Sequence, residues 1–165
     1  MTTDTRFIAD TMLGKLTKWL RVMGFDVQYA FETSDVRLLR CAEADERILL
    51  TRDHRLISCR GPVRRLYIES DYYHQQVRQV LQAFNLANHI QAFTRCTRCN
   101  APLDIIAKPA VVKRVPAYVY ATHLTFKRCA TCDHLYWGGT HRDNMLRQLQ
   151  AMLCDLLPIT SEILR

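Results

Sequence analysis

Four of the seven cysteines in the chain form two Cys-x-x-Cys pairs, Cys96/Cys99 and Cys129/Cys132. Each pair can place two thiolates on one side of a tight turn, and two such turns make the tetrahedral four-sulfur site that zinc prefers. Because four thiolates leave no open position for water, the spacing predicts a structural zinc. The alternative is a set of redox-active or simply reduced thiols. The other three cysteines have no partner at metal spacing and are interpreted as reduced thiols.

A second group of metal-ligating side chains follows the predicted strands. Asp10 follows the first strand, Asp35 opens the second helix, Asp53 follows the third strand and Asp71 follows the fourth. In a parallel sheet these positions lie at one edge, where open α/β folds place their sites. Carboxylate oxygens there favour Mg²⁺ or Mn²⁺, ions that orient a phosphodiester, generate hydroxide and stabilise a leaving oxygen. The alternative is helix capping. Asp71 is the least secure of the four, because Ser70 beside it could be the cap and Asp71 a first-turn charge.

Cationic side chains accompany both groups. Lys15, Lys18 and Arg21 form a stripe on the first predicted helix, and Arg52 adjoins Asp53. Such cations neutralise phosphates, and aromatic residues interleaved with them can stack on unpaired bases. A solvated helix face and an aromatic ribbon core are the alternatives. The predicted nucleic-acid contacts between and beside the cysteine pairs are Lys113, Arg114, Lys127 and Arg128.

The elements that must position these residues alternate between strand and helix over residues 1–90. This alternation predicts an α/β domain with a parallel sheet and helices on both faces. No Gly-x-Gly-x-x-Gly or Gly-Lys-Ser/Thr loop is present, which argues against dinucleotide or P-loop binding. The predicted strands cover 6–9, 25–30, 47–51 and 63–68, and the predicted helices cover 12–23, 35–45 and about 70–84.

Residues 91–165 are predicted to form a second unit, a zinc ribbon with a C-terminal helix. Residues 85–93 are interpreted as the linker between the two units. Tyr118-Val119-Tyr120 is typical of a strand. An apolar stripe over 143–157 predicts the terminal helix, which Pro158 ends.

Composition limits the function classes. A chain of 165 residues with 48% hydrophobic and 24% charged residues is neither disordered nor fibrous. The absence of a long apolar run or a signal peptide predicts a cytoplasmic protein without a membrane partner. The net charge is +7, and residues 95–142 contribute +6 of it through 8 basic and 2 acidic side chains. This distribution favours a polyanionic partner for the ribbon.

Several motifs together resemble one family. Phe7-Ile8-Ala9-Asp10, Met12-Leu13-Gly14-Lys15-Leu16, Ile48-Leu49-Leu50-Thr51-Arg52-Asp53 and Tyr136-Trp137-Gly138-Gly139-Thr140-His141 are similar to motifs of the Mut-seven-type C-terminal RNase family. The resemblance extends from Phe7 to about Met145. That family joins a PIN-like nuclease fold to a zinc ribbon, so the resemblance implies a PIN-like α/β fold and a metal-dependent ribonuclease.

The resemblance further implies that Asp10, Asp35 and Asp53 bind Mg²⁺ or Mn²⁺, with Asp71 less secure. The predicted substrate is RNA, and the aromatic residues interleaved with the cations favour a single strand. One alternative is a non-catalytic nucleic-acid-binding adapter built on a degenerate nuclease fold. Another is a DNA nuclease. The sequence leaves open the polarity of cleavage, the number of catalytic metals and the oligomeric state.

Overall fold

The computed structural model describes residues 5–154. Its larger sheet has four parallel strands in the order β2-β1-β3-β4. The strands are β1 (Arg6–Ala9), β2 (Asp26–Tyr29), β3 (Ile48–Thr51) and β4 (Arg65–Tyr67). The strand-helix alternation predicted this parallel arrangement, and the prediction is confirmed.

Helices cover both faces of this sheet. The helices between and after the strands are α1 (Gly14–Val22), α2 (Asp35–Ala44), α3 (His54–Ser58) and α4 (Tyr73–Ala83). The apolar side chains of α1 and α4 enter one core, and those of α2 and α3 enter a second core on the opposite face. Successive strand residues alternate between the two faces. Phe7 and Ala9 accordingly enter the first core, while Ile8 enters the second.

The strand order creates a crevice between β1 and β3. The chain leaves β1 through α1 to reach β2 on one side, then crosses through α2 to reach β3 on the other side. Neighbouring connections therefore diverge at the carboxyl ends of β1 and β3. Open α/β sheets bind ligands at such a switch point.

The second unit is a three-stranded antiparallel ribbon of β5 (Leu103–Ile106), β6 (Phe126–Cys129) and β7 (Leu135–Trp137). The short helix α5 (Ala117–Thr122) covers one face of it. The strand predicted at 118–120 is therefore wrong. Pro116 occupies the N-cap of α5, and only Val119 of that tripeptide is fully buried against the ribbon.

The last described helix, α6 (Thr140–Leu153), packs on the first unit. Met145, Leu149, Met152 and Leu153 enter the same core as α1 and α4. The helix begins three residues before its predicted start. Its predicted end at 157 and the stop at Pro158 lie outside the described residues.

Residues 85–93, interpreted as a linker, lie along the end of α1. The amides of Gln91 and Phe93 donate to the carbonyls of Met23 (2.8 Å) and Val22 (2.8 Å), and Leu86 and Ile90 are buried in the first core. The segment is thus a docked connection between the two units. Within residues 5–154, no helix combines the length and apolar character that a membrane span requires.

Candidate functional site

Two predicted site residues meet at the switch point of the larger sheet. Asp10 directly follows β1, and Asp53 comes two residues after β3. The strands are neighbours, with Ala9 in register with Leu50, and the amide of Asp10 donates to the carbonyl of Leu50 (3.2 Å). The two residues therefore follow neighbouring strands at the crevice where this fold class places ligands.

Asp10 is held rigidly, with only 6% of its surface exposed. Its carboxylate accepts hydrogen bonds from the amides of Met12 (2.9 Å) and Arg52 (3.1 Å), and from the hydroxyl of Thr51. The Met12 contact caps the 3-10 turn that leads into α1. Asp10 thus serves as a cap, as the alternative interpretation held, and also presents a fixed carboxylate at the sheet edge.

Thr51 connects the two carboxylate positions. Its hydroxyl donates to Oδ2 of Asp10 and accepts from the amide of Asp53 (3.0 Å). The side chain is completely buried at the end of β3. Sequence reasoning missed this residue, although a hydroxyl that ends the apolar run Ile48-Leu49-Leu50 was a usable signal.

Asp53 is the N-cap of α3. Its Oδ1 accepts from the amide of Arg55 (2.7 Å), and its Oδ2 lies 2.9 Å from Nη2 of Arg55. The hydrogen bond to the Arg55 guanidinium, followed by that to the Arg55 amide, lowers the pKa of Asp53 below its usual value. The carboxylate is therefore ionised at neutral pH and is already matched by a cation.

Asp35 lies near the same cation. It is exposed in the first turn of α2. The hydrogen bond and charge of Asp53, and then the charge of Asp35, raise the pKa of Arg55. The guanidinium of Arg55 thus interacts with two of the predicted ligands.

Asp71 is exposed and forms an ion pair with Nη1 of Arg52. The backbone amide of Arg52 donates to Asp10, so Arg52 contacts both the exposed Asp71 and the buried Asp10. Nearby, the ring of His54 stacks on Tyr67, with Nε2 of His54 2.9 Å from the Tyr67 hydroxyl. All four aspartates therefore lie at the carboxyl edge.

The four aspartates do not converge on one point. Among residues 5–154, the only group of three or more Asp, Glu, His or Cys side chains whose ligand atoms all lie within 4.8 Å is a cysteine group. Mg²⁺ is usually bound through one or two carboxylates together with waters and substrate phosphates. The oxygen donors of Asp10 and Asp53 fit that mode of binding by their chemistry.

The cysteine group consists of the four predicted zinc ligands, Cys96, Cys99, Cys129 and Cys132. Their sulfur atoms include close pairs at 3.5 Å (Cys96 and Cys132) and 3.2 Å (Cys99 and Cys129). A four-sulfur group of this kind can hold a zinc ion. The sequence placed turn residues tolerant of positive φ after each pair, and Asn100 (φ 73°) and Asp133 (φ 58°) adopt that conformation.

Tyr136 orients Cys96, the first cysteine of the group of four. Its hydroxyl lies 3.1 Å from Sγ of Cys96 and accepts from the amide of Thr97 (3.2 Å). Burial, and then the contact with Cys96, raises the pKa of Tyr136 to about 12. Burial alone raises the pKa of Cys96, but the Tyr136 hydroxyl and backbone amides outweigh it and lower that pKa to about 6. The protonated hydroxyl therefore stabilises a thiolate.

The predicted cation stripe on α1 divides into two parts. Lys15 and Lys18 are exposed, whereas Arg21 is buried. The guanidinium of Arg21 donates to the carbonyls of Val27 (2.8 Å), Thr97 (3.1 Å) and Arg98 (3.0 Å). Arg21 thus binds the first cysteine turn to the sheet and is not presented to a ligand in solution.

Further polar contacts fasten the ribbon to the sheet edge. The side chain of Asn100 accepts from the amide of Val27 (3.0 Å) and donates to Asp26 (2.8 Å). Asp26 also pairs with Arg47 (2.6 Å) and Arg95 (3.5 Å). The cysteine turn therefore lies against the amino-terminal part of β2, on the edge of the larger sheet.

The predicted ribbon cations have different environments. Arg114 and Arg128 form ion pairs with Asp133, and Nζ of Lys127 donates to the carbonyl of Phe93 (2.9 Å). Lys113 is exposed.

Comparison with known proteins gives one family. The family model described as the Mut7-C RNAse domain matches residues 5–149, which include the carboxylate edge, the four cysteines and most of α6. Comparison with curated proteins and with solved structures found no significant match.

Proposed function

Because the chain belongs to the Mut7-C RNAse domain family, we propose that it is a Mg²⁺- or Mn²⁺-dependent PIN-like ribonuclease that hydrolyses phosphodiester bonds of single-stranded RNA. The observation that supports the proposal is the hydrogen-bonded link at the switch point, in which the Thr51 hydroxyl donates to the Asp10 carboxylate and accepts from the backbone amide of Asp53. Open α/β sheets bind ligands at this place, and a metal-dependent nuclease needs oxygen ligands there to bind its cation.

Each residue of the carboxylate edge has a defined part in the proposal. Asp10 and Asp53 hold the cation, and Thr51 fixes the direction of the Asp10 carboxylate. A divalent ion held there would supply charge stabilisation and a lowered pKa for the attacking water. Asp35 is the third proposed ligand. It would contact the ion once the Arg55 guanidinium turns away from Asp53. The 83% exposed side chain of Arg55 is held by a solvent-screened pair, which is weak.

The ribbon is proposed to bind a structural zinc ion through its four cysteines. Four thiolates would leave no site for substrate, so this ion would fold the ribbon and take no part in the chemistry. Exposed Lys15, Lys18 and Lys113 are proposed to contact RNA phosphates. Arg21, engaged with backbone carbonyls, is not part of this surface.

An RNA-cleavage assay tests the proposal. A labelled single-stranded RNA and a DNA of the same sequence are incubated with added Mn²⁺ and with wild-type protein or Asp53→Asn. The matched control is Glu43→Gln, an acid-to-amide change at an exposed position in the last turn of α2. We expect Asp53→Asn to lose at least about a hundredfold in rate, within the range of single electrostatic groups in active sites. Equal cleavage by all three proteins would place the activity elsewhere.

One observation favours the alternative of a non-catalytic adapter. Arg55 and Arg52 of the same chain already pair with Asp53 and Asp71. The four carboxylates also do not converge as a compact ligand set. An adapter would bind RNA with a steep salt dependence and would cleave neither RNA nor DNA with any divalent metal. The same assay separates the two, and preferential cleavage of the DNA would identify the third possibility, a DNA nuclease.

A further inference from the structure

Two large aromatic side chains are exposed at the carboxyl edge of the larger sheet. Phe31 comes two residues after β2 and is 64% exposed, and Tyr72 immediately precedes α4 and is 65% exposed. Neither belongs to a hydrophobic core cluster or packs against one. Single exposed apolar side chains are common on protein surfaces, so it is the position of these two rings beside the carboxylates that needs an explanation.

Two contacts connect Phe31 to the region of Asp10. Its ring lies 6.2 Å from the ring of Tyr29, at a tilt of 33°. The Tyr29 hydroxyl donates to the carbonyl of Thr11 (2.8 Å), the residue after Asp10. Tyr29 packs against the core and so provides a rigid support for the exposed ring of Phe31.

A second series of contacts connects Tyr72 to the same carboxylate. Tyr72 follows Asp71, which is paired with the guanidinium of Arg52, and the amide of Arg52 donates to Asp10. The Tyr72 ring lies 5.8 Å from the ring of His74 in the first turn of α4. Tyr72 therefore borders the carboxylate edge on the side opposite Phe31.

The strand order fixes how these rings flank the site. The outer strands of the sheet are β2 and β4, which precede Phe31 and Tyr72 in the chain. The inner strands are β1 and β3, which precede Asp10 and Asp53. Three interstrand spacings separate β2 from β4, a span of roughly 14 Å. A chain that crosses the carboxylates along this edge must pass one aromatic ring before them and one after them.

We infer that Phe31 and Tyr72 are base-stacking residues on either side of the cleavage position, which select RNA segments with unpaired bases. The inference rests on the proposed ribonuclease function. Aromatic rings stack on any base, so they add affinity without reading sequence. In a duplex the base faces are already stacked inside the helix and are not accessible to a side chain. Exposed Lys15, in the first turn of α1, adds a cation at the same edge.

RNA binding without cleavage tests the inference. Fluorescence anisotropy is measured in buffer without added divalent metal, using a labelled single-stranded 12-mer, its duplex, and a 12-mer in which abasic sites replace the bases. We expect Phe31→Ala and Tyr72→Ala each to weaken binding of the intact single strand by about five- to a hundredfold. Binding of the abasic strand should change by less than about twofold, since its phosphates are unaltered.

Two further variants make the result specific to stacking. Phe31→Trp keeps an aromatic face and should retain single-strand binding, whereas Ile105→Ala removes an 83% exposed apolar side chain from the ribbon and should leave binding unchanged. If an alanine variant lost as much affinity for abasic RNA as for intact RNA, the inference alone would be overturned. The same holds if Phe31→Ala or Tyr72→Ala kept its full affinity for the intact strand. Absence of RNA cleavage by the wild-type protein in the Mn²⁺ assay would overturn the proposed function, and the inference with it.

Discussion

Arg21, in the last turn of α1, donates a hydrogen bond from Nη1 to the carbonyl of Thr97 (3.1 Å), inside the first Cys-x-x-Cys turn. The same nitrogen donates to the carbonyl of Arg98 (3.0 Å), and Nε donates to Val27 of β2 (2.8 Å). One buried guanidinium therefore joins a helix, the sheet edge and the cysteine turn. Groups that hold metal-ligating turns in this way tune the affinity of the metal site.

The first prediction concerns this contact. Arg21→Lys keeps the charge but loses the planar fork that reaches three carbonyls, so we expect zinc affinity to fall by about 10- to 100-fold. Competition with a chromophoric zinc chelator measures it. Lys18→Gln, at an exposed position on the same helix, is the matched control and should leave zinc affinity unchanged. Equal affinities for Arg21→Lys and wild type would show that docking and metal binding are independent.

The second prediction concerns Thr51. Thr51→Val removes the hydroxyl, so that Oδ2 of Asp10 loses one of its two donors and the Asp53 amide loses its acceptor. We expect the free energy of unfolding to fall by about 1–3 kcal/mol. Thr51→Ser keeps the hydroxyl and loses one methyl group, which costs about 0.8 kcal/mol. Urea denaturation measures both. A loss of stability in Thr51→Ser with none in Thr51→Val, which keeps the side-chain volume, would mean that only packing matters at this position.

How far the sequence predicts the site depends on whether local spacing or tertiary contacts decide each position. The aspartates after strands are local features, because an apolar run of four to six residues followed by Asp defines a strand end. The cysteine pairs are equally local, since each turn is complete within five residues. The four sulfur atoms lie together, as their spacing predicted. Asp10 and Asp53 follow neighbouring strands, but the four aspartates do not form a compact ligand group, so a metal site there stays a prediction.

Other positions depend on contacts that no local pattern shows. Arg21 shares the spacing of Lys15 and Lys18, yet only the docked ribbon buries it. The alternating run 118–120 has strand propensity, but Pro116 at the N-cap and a single inward side chain favour a helix there. Likewise, the polar residues of 85–93 resemble a linker, whereas their backbone amides bind the end of α1.

The third prediction concerns Gly24, where the linker segment meets α1. Its φ is +93°, and an added Cβ would lie 2.4 Å from the backbone oxygen of Gln91. Gly24→Ala therefore combines strain, which alone costs about 1–3 kcal/mol, with a clash against backbone that cannot swing aside. Each kcal/mol lost from the free energy of unfolding lowers the midpoint of thermal unfolding, Tm, by about 2–4 °C in a domain of this size.

The control for Gly24 is another glycine of the chain. Gly138→Ala would place its Cβ in open space, with no atom within 4 Å. Its free energy of unfolding should change by no more than about 0.5 kcal/mol. Thermal unfolding of the two variants followed by circular dichroism compares them directly. A Gly24→Ala protein as stable as Gly138→Ala would contradict the close approach of residue 91.

The fourth prediction concerns the pH dependence of stability through Asp26. Burial raises the pKa of Asp26, but hydrogen bonds from Arg47 and Asn100 outweigh burial and hold the pKa below its usual value. A carboxyl whose pKa is lower in the folded state contributes its full stability above the unfolded pKa of about 3.9. That contribution is lost as the pH falls through the lower folded pKa.

Asp26→Asn should therefore be less stable than wild type by about 1–3 kcal/mol at pH 7, and the difference should shrink below about pH 4. Urea denaturation between pH 7 and pH 3 measures this difference. The comparison is made over the pH range in which both proteins keep the same metal content. Asp104→Asn, at an exposed position on β5, is the matched control and should follow wild type throughout. A constant difference between Asp26→Asn and wild type at every pH would mean that the lost hydrogen bonds, and not the charge of Asp26, stabilise the junction with the ribbon.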